Sequence, residues 1–351
     1  MSDSLKQQLA GYLTQSGLSS VSVIAPLTQG LSNQNYYVRG LHGSKAEESE
    51  WVLRVNSWAS SQICDRDSEV DAWRSASDAS LAPRMVYVSA DKQFYLSEFI
   101  AQENDHSWNE LISANGAHPM TNTQECWPGA EQQLLQLLNG LKQLPTPKNV
   151  IGVEKQWQIY NARLIQMQQK LLSQPSDSHP SIAAWLQQFD NLFAQTGAIA
   201  VMLDSLDKCL VNLQFSHRDL NPYNILVVQD KLNCIDFEYA CSSHPLCDLA
   251  SVIASHSLSS KQRHWLIANY IRQQRNLNRH AVHAVPAAVD LYWVFAVCWA
   301  LQMAFDNIAL TGNSGNSGSS GNNSQQLSSG EQASNYLDCA SQYQQLIASC
   351  S

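Results

Sequence analysis

The sequence has little positive charge and no recognisable metal-binding cysteine pattern. Among its 351 residues, 21 Lys and Arg stand against 30 Asp and Glu, which gives a formal net charge of −9. Nucleic-acid-binding proteins usually carry clustered Lys and Arg, so this balance argues against a nucleic-acid partner. The 9 cysteines are scattered without a CxxC pair or histidine-spaced ligands, which argues against a disulfide framework and a zinc site.

The sequence also lacks the segments typical of export or membrane insertion. The N-terminal residues MSDSLKQQLAGYLTQSGL have no charged region followed by an apolar one, so we predict no secretory signal and a cytoplasmic location. The most apolar stretch, Leu291 to Ala304, is short for a membrane span and contains Gln302. We therefore predict a buried helix there and no membrane insertion.

The first hundred residues have the pattern of a small, mainly β lobe. Leu5 to Leu13 has helical spacing, and a second helix is predicted over Cys64 to Ser77. The predicted strands are Val21 to Leu27, Tyr36 to Val38, Trp51 to Val55, Met85 to Val88 and Phe94 to Ile100.

From residue 101 the pattern changes to helices. Apolar positions recur at three and four residues over Glu131 to Leu144 and over Glu154 to Leu172. Two strand-like pieces, Ile225 to Val228 and Leu232 to Ile235, interrupt the helical half.

The C-terminal region divides into a polar tract and a helix. Thr311 to Gly330 is rich in Gly, Ser and Asn, cannot bury apolar surface, and is predicted to be a flexible loop. A final amphipathic helix is predicted from Gln332 to Ala348.

The segments HRDLNPYNILV, from His217, and CIDFEYA, from Cys234, carry the chemistry. Phosphoryl transfer needs a carboxylate for the attacking hydroxyl and oxygen ligands that hold Mg²⁺ across the phosphates. Asp219, Asn224 and Asp236 supply that set. An Asp five residues before an Asn, on a loop that opens into a strand, puts both side chains at one end of a tight turn, and the second strand returns Asp236 to face them. The alternative is that these are ordinary turn residues.

The catalytic segment resembles that of a known family. HRDLNPYN matches the kinase pattern H-R-D-L-x-x-x-N at its fixed positions, while Asp236-Phe237-Glu238 replaces Asp-Phe-Gly. With its IDFEYA run, the chain resembles the aminoglycoside phosphotransferase and choline kinase superfamily. The resemblance implies ATP as donor, Asp219 as the residue that accepts the hydroxyl proton, and Asn224 and Asp236 as Mg²⁺ ligands. Glu238 is a further candidate for a metal or substrate contact.

The same resemblance implies a fold. We expect an α+β, protein-kinase-like two-lobe fold, with a mainly β nucleotide-binding lobe over 1–100 and a mainly helical lobe over 101–351. ATP would lie in the cleft between the lobes, and the helical lobe would carry the catalytic loop and the acceptor site.

Upstream residues resemble the nucleotide-binding parts of these kinases. QGLSNQNYYV, from Gln29, looks like a nucleotide loop whose Ser32 and Asn33 cap phosphate oxygens, with a plain hairpin turn as the alternative. Arg54 stands where protein kinases have a phosphate-binding lysine, and a guanidinium can offer two parallel donors. Glu69 is predicted to orient Arg54, the alternative being a surface helix charge.

Other residues receive supporting roles from the resemblance. Glu98, Phe99 and Ile100 would form the adenine hinge through backbone atoms. His217 would pack against the catalytic loop and hydrogen-bond it. Asp248, in HPLCDLA, would brace that loop from a buried position.

The acceptor is predicted to be a small cation. Tyr292, Phe295 and Trp299 fall on one helical face, which can hold a quaternary ammonium by cation–π attraction, with core packing as the alternative. Choline kinases have a similar Trp-rich helix in this part of their chain. No Lys or Arg follows Arg279, so this region is acidic. Choline or ethanolamine is the leading acceptor.

Several alternatives stay open at this point. Thiamine or an aminoglycoside is the alternative acceptor, and a catalytically inactive, nucleotide-binding pseudokinase is the alternative of another class. A protein kinase is disfavoured because the chain lacks Asp-Phe-Gly and a recognisable Ala-Pro-Glu segment.

Overall fold

The chain forms two compact units. The computed structural model describes residues 3–27, 33–43, 47–57, 64–102, 107–111, 127–174, 180–312 and 329–347. Unit 1 comprises residues 1–112, 125–150 and 214–242, and unit 2 comprises residues 113–124, 151–213 and 243–351. The segment with the catalytic motif therefore groups with the N-terminal sheet, and the lobe boundary expected near residue 100 stays a prediction.

Unit 1 is built on an antiparallel sheet of five strands in the order β1-β2-β3-β5-β4. The strands are β1 (Leu18–Leu27), β2 (Gln34–His42), β3 (Ser49–Val55), β4 (Met85–Val88) and β5 (Phe94–Glu98). Trp51 and Leu53 join the core cluster that includes helix α1 (Asp3–Gln15). Because side chains alternate along a strand, Arg54 is turned to the opposite face.

Helix α2 (Arg66–Asp78) brings Glu69 into the interior of unit 1. The Asp65 side chain accepts hydrogen bonds from two first-turn backbone N–H groups, at 3.1 and 3.3 Å, and so caps the helix. Trp73, one turn after Glu69, is buried and stacks on Phe237, with ring centroids 6.2 Å apart. The Asp65 cap and the stacking of Trp73 on Phe237 together fix which face of α2 is turned to the interior of unit 1.

The catalytic segment folds into a small hairpin. A 3-10 turn at Pro222–Asn224 leads into β7 (Ile225–Val228), which pairs with β8 (Lys231–Cys234). Ile225 lies opposite Cys234, so the residues just before β7 and just after β8 meet at the same end. Unit 1 also contains helix α3 (Ala130–Leu141) and the short strand β6 (Gln214–Ser216), which pairs with β9 (Cys241–Ser243).

Unit 2 is helical and centres on one long helix. The helices are α4 (Val153–Leu172), α5 (Ser181–Phe193), α6 (Thr196–Asp207), α7 (Leu246–Ser255), α8 (Ser260–Arg272), α9 (Ala281–Gly312) and α10 (Ser329–Leu346). Helix α9 packs against all six others. Trp185 of α5 donates a hydrogen bond to the Leu301 carbonyl of α9 at 2.8 Å.

One segment passes a simple test for a membrane span. Within the described part of the chain, Ala281–Ala309 is long and apolar enough by length and composition, with a mean hydropathy of 1.7. In the structure 67% of its most apolar window is buried. A core helix of this kind passes the same test, so the finding is weak evidence for a membrane.

The predicted α+β class is confirmed, with an antiparallel N-terminal sheet and a mainly helical remainder. Most predicted elements appear with longer bounds, such as β2, which was predicted only over Tyr36 to Val38, and α9, predicted over Leu291 to Ala304. The loop predicted over Thr311 to Gly330 lies largely outside the described residues, which end at 312 and resume at 329.

Candidate active site

The loop before β7 fixes the Asp219 carboxylate with two amide donors. Asn221 Nδ2 donates to Asp219 Oδ1 at 2.9 Å, and Asn224 Nδ2 donates to Asp219 Oδ2 at 2.8 Å. Asn221 Oδ1 accepts from the Tyr223 backbone N–H at 2.9 Å, which closes the 3-10 turn. Both oxygens of Asp219 are therefore oriented by the turn itself.

His217 supports this loop as a neutral imidazole. Its Nε2 lies 3.1 Å from the Ile235 carbonyl and must donate to it, so Nδ1 is the acceptor for the Asp219 backbone N–H at 3.3 Å. The ring lies 4.8 Å from that of Phe237, centroid to centroid. Burial lowers the pKa of His217 to about 4, which agrees with a neutral, structural ring.

Backbone strain marks the two acidic positions. Arg218, just before Asp219, and Asp236 itself have φ of 70° and 67°, in the left-handed region that side chains disfavour. Such conformations cost about 1–3 kcal/mol each and persist where the surroundings hold them. Here the hydrogen bond from Ile235 N–H to the Asn224 carbonyl, at 2.9 Å, ties the two segments together. The strain thus serves to aim the Asp236 side chain.

Arg54 is buried and pairs with three carboxylates. Its Nη2 lies 3.0 Å from Glu69 Oε1 and 3.4 Å from Glu238 Oε2, and its Nη1 lies 3.2 Å from Asp236 Oδ1. Asn56 Oδ1 accepts from Arg54 Nε at 3.0 Å and fixes the plane of the guanidinium. Burial alone would lower the pKa of Arg54, but the three carboxylates outweigh it and raise the pKa.

Donors from three elements meet at one oxygen of Glu238. Besides Arg54, its Oε2 accepts from Asn33 Nδ2 at 3.2 Å and Cys64 Sγ at 3.7 Å, and Arg66 Nη1 forms an ion pair with it at 3.8 Å. The Glu238 side chain is 4% exposed. The structure therefore places Glu238 among cations and amides in the interior, rather than open to solvent.

The site carries excess negative charge. Four carboxylates, those of Glu69, Asp219, Asp236 and Glu238, stand against the guanidiniums of Arg54 and Arg66, which leaves a formal charge of −2 when all are ionised. Burial raises the pKa of Asp219 to about 6, although its amide donors oppose the shift. Burial also raises the pKa of Asp236, against the effect of Arg54. A divalent cation would relieve this imbalance.

Comparison with known proteins decides the family. The model of the phosphotransferase enzyme family matches residues 23–285, a span that includes Arg54, Glu69 and the catalytic hairpin. The chain belongs to this phosphotransferase family.

Individual relatives are distant. Protein LicA of Haemophilus influenzae is 24% identical over 254 residues, which is 71% of this chain and 63% of that protein, so the chain aligns with less than two thirds of it. Choline kinase LicA from Streptococcus pneumoniae has a TM-score of 0.55 at 13% identity, covering 97% of each chain. The gentamicin complex of APH(2")-IIa has a TM-score of 0.58 at 12% identity, covering 97% of this chain and 98% of that one. These structures share the fold, and the predicted kinase-like fold is confirmed.

The residues present fit Mg²⁺, the metal that the sequence predicts. Asn224 turns its Nδ2 to Asp219, so its Oδ1 points away from that carboxylate. The Asp236 side chain is 28% exposed and offers a second hard oxygen donor. Within the described residues no three His, Cys, Asp or Glu side chains form a metal cage. The carboxylate of Asp236 with the amide oxygen of Asn224 would suit Mg²⁺, which is usually held by one or two carboxylates together with substrate phosphates.

The residues predicted to contact the nucleotide belong to unit 1, and several of them already hydrogen-bond within it. Asn33 is buried, and its Oδ1 accepts from the Ser57 backbone N–H at 3.1 Å, while Ser32 lies outside the described residues. At the predicted hinge, the N–H of Glu98 donates to the Arg84 carbonyl at 3.0 Å and that of Phe99 to the Glu50 carbonyl at 3.2 Å.

The backbone hydrogen bonds of Glu98 and Phe99 bear on the predicted adenine hinge. The Glu98 and Phe99 N–H groups are already used within the sheet, so recognition through them would have to displace existing bonds. Ile100, the last hinge residue, lines an open depression of about 300 Å³ beside Glu98 and Phe99. The adenine role of all three residues stays a prediction.

Unit 2 holds the residues predicted for the acceptor and for bracing the loop. Tyr292, Phe295 and Trp299 are half-buried on α9, whereas Trp293 between them is buried. Phe295 stacks with Tyr160 of α4, and Trp299 meets Tyr336 of α10 edge-on, with centroids 5.8 and 5.6 Å apart. The three predicted rings thus share a half-buried face of a core helix.

Asp248, the residue predicted to brace the catalytic loop, also lies in unit 2. Asp248 is 2% exposed in the first turn of α7. Its predicted role in supporting the catalytic loop stays a prediction.

Sequence reasoning gave no role to three residues that complete the site. Asn56 and Asn221 orient Arg54 and Asp219, and Arg66 pairs with Glu69 at 2.7 Å. Only Arg66 left a usable signal, because it precedes Glu69 by three residues on a predicted helix, where side chains are neighbours. The two asparagines look like ordinary turn and strand-end residues, and only their contacts distinguish them.

Proposed function

We propose that this phosphotransferase-family chain is an ATP- and Mg²⁺-dependent kinase for the hydroxyl group of a small cationic molecule, such as choline or ethanolamine. The observation that carries the proposal is the grouping, within unit 1, of Asp219 with Asn224 and of Asp236 with Arg54. Orienting carboxylate, metal ligands and phosphate-binding cation are the parts that phosphoryl transfer requires.

Each residue then has a chemical task. Asp219, oriented by its two amides, accepts the proton of the acceptor hydroxyl as that oxygen bonds to the γ-phosphorus and the bond from phosphorus to the β,γ-bridging oxygen breaks, releasing ADP. Its raised pKa makes the carboxylate a stronger base than an exposed Asp. Asn224 and Asp236 would hold Mg²⁺, which neutralises charge on the phosphates. Arg54 steadies the phosphates that are not transferred.

The acceptor class is supported by unit 2. The half-buried aromatic face of Tyr292, Phe295 and Trp299 suits a quaternary or primary ammonium, with each cation–π contact contributing about 0.5–2 kcal/mol. Thiamine carries both a cationic ring and a primary alcohol and suits the same face. An aminoglycoside acceptor draws support from the structural likeness to APH(2")-IIa, whose solved complex contains gentamicin.

The test is Mg²⁺-dependent ADP release by the purified protein with a panel of choline, ethanolamine, thiamine, aminoglycosides and simple sugars. We expect release that depends on one cationic alcohol, which would fix the substrate class. ADP release is corrected with protein-free controls. If the corrected release were equal for every acceptor, the protein would only hydrolyse ATP. Binding of ATP without release for any acceptor would favour the nucleotide-binding pseudokinase and contradict the proposal.

A further inference from the structure

Arg66 lies against two of the three carboxylates that Arg54 holds. Its Nη1 is 2.7 Å from Glu69 Oε2 and 3.8 Å from Glu238 Oε2, and its side chain is only 9% exposed. Within the described residues, the ion pairs of Arg66 are with Glu69 and Glu238, whereas Asp236 pairs with Arg54. The two arginines therefore overlap at two carboxylates and differ at the third.

The position of Arg66 at the start of α2 disfavours a cation. Arg66 is the first residue of α2, where the helix end carries partial positive charge and favours acidic side chains such as Asp67 and Glu69. Burial of the guanidinium adds a further cost. Burial alone would lower the pKa of Arg66, yet Glu69 and other neighbours raise it. The ion pairs with two buried carboxylates, Glu69 on the same helix and Glu238 in the catalytic segment, are what favour Arg66 here.

The proposed reaction creates a demand that Arg66 meets. In this structure Arg54 donates to Asp236 and Glu238 and forms an ion pair with Glu69, but the proposed kinase would need Arg54 for phosphates and Asp236 for the metal. If Arg54 turned to the phosphates and kept only its ion pair with Glu69, the buried Glu238 would lose its nearest cation. Removing the partner of a buried charge is strongly destabilising.

We propose that Arg66 is a positioning residue that keeps Glu238 paired while Mg²⁺-nucleotide draws Arg54 to the phosphates and frees Asp236 for the metal. The inference rests on the proposed kinase function. It assigns Arg66 to nucleotide binding. Replacing the Arg66 side chain should therefore weaken nucleotide binding and leave acceptor binding unchanged.

The experiment compares Arg66→Gln, Arg66→Lys and the matched control Arg74→Gln, whose arginine is exposed on the same helix. Calorimetric titration with Mg²⁺-ADP measures nucleotide affinity without turnover, and steady-state assays separate KM for ATP from KM for the acceptor. We expect Arg66→Gln to weaken Mg²⁺-ADP binding and raise KM for ATP about tenfold, in keeping with a lost charge-assisted hydrogen bond. Arg66→Lys should recover most of the loss because the charge remains, and Arg74→Gln should match the wild type.

A double-mutant cycle with Glu238→Gln supplies the discriminating result. If Arg66 acts by compensating the charge of Glu238, the fold-loss of Mg²⁺-ADP affinity in the double variant should be smaller than the product of the fold-losses in the two single variants. Wild-type affinity in Arg66→Gln, or a loss confined to thermal stability, would overturn the inference. Should Arg66→Gln fail to fold, Arg66→Lys with wild-type stability and tenfold weaker affinity would contradict the charge-based role. Absence of Mg²⁺-ADP binding by the wild type would instead refute the kinase function.

Discussion

Arg54 of β3 and Glu69 of α2 form a buried ion pair, with Nη2 and Oε1 3.0 Å apart and the Glu69 side chain fully excluded from solvent. Glu69 Oε2 also accepts from Tyr95 Oη at 3.1 Å. The pair joins the sheet to the helix that follows it in unit 1. It therefore bears on stability and on the placement of the predicted phosphate-binding cation.

Neutralising Glu69 should be costly. We expect Glu69→Gln to lower the free energy of unfolding by about 3 kcal/mol, because the new amide nitrogen would face buried N–H and O–H donors of Arg54, Arg66 and Tyr95. Denaturant unfolding measures the change. The control is Asp204→Asn, which removes an exposed ion pair with Lys208 and should cost less than about 1 kcal/mol. Equal losses in the two variants would show that the Arg54–Glu69 pair contributes no more than a surface contact.

Asp219 should be needed for turnover and dispensable for nucleotide binding. We expect Asp219→Asn to reduce kcat by about 100- to 10,000-fold, the range typical of general-base catalysis, while Mg²⁺-ADP affinity stays near that of the wild type. Steady-state kinetics and calorimetry measure the two quantities. Asp230→Asn changes an exposed Asp at the far end of the same hairpin and should be neutral. Near-parental turnover in Asp219→Asn would remove Asp219 from the mechanism.

Changes to the aromatic face of α9 should affect KM for the acceptor and leave KM for ATP unchanged. We expect Trp299→Leu to raise KM for a cationic acceptor about five- to tenfold, as loss of one cation–π contact implies, with KM for ATP unchanged. The matched control is Trp265→Leu, because Trp265 is 37% exposed on α8. If both KM values rose together, or neither changed, Trp299 would be a packing residue.

Buried histidines should make stability depend on pH in a defined direction. Burial lowers the pKa of His256 to about 3, whereas an unfolded His titrates near 6.5. As pH falls below about 6.5, the unfolded chain takes up a proton that the folded chain refuses, so the stability contributed by neutral His256 is lost between these two values. At pH 5 the loss is about 2 kcal/mol for one such residue.

The test compares a variant with the wild type, since the raised pKa of Asp219 acts in the opposite sense. Between pH 7.5 and 5, His256→Gln should lose about 2 kcal/mol less unfolding free energy than the wild type does. His264→Gln, at an exposed position, should follow the wild type. Parallel curves for all three proteins would mean that His256 is charged or hydrated in the folded state.

The sequence predicted the elements whose pattern is strong and local. The short apolar run over β3 and the helical spacing over α4 are both local signals, and the predicted bounds lie within two residues of the structure. It gave no prediction for α7, in which 9 of 10 residues are buried. It also gave none for Asn56 and Asn221, which orient Arg54 and Asp219, because a single contact between side chains two residues apart leaves no periodic signal.

The sequence by itself determined which side chains meet at the hairpin: the spacing of Asp219, Asn224 and Asp236 places them at the same end of β7 and β8. Only the tertiary structure decided which charges meet. Arg54 and Glu238 are far apart in the chain, yet they lie 3.4 Å apart because β3 and the hairpin pack within one unit, and burial makes every uncompensated charge there costly. Local spacing fixes local geometry, whereas the pairing of buried charges depends on the packing of the whole unit.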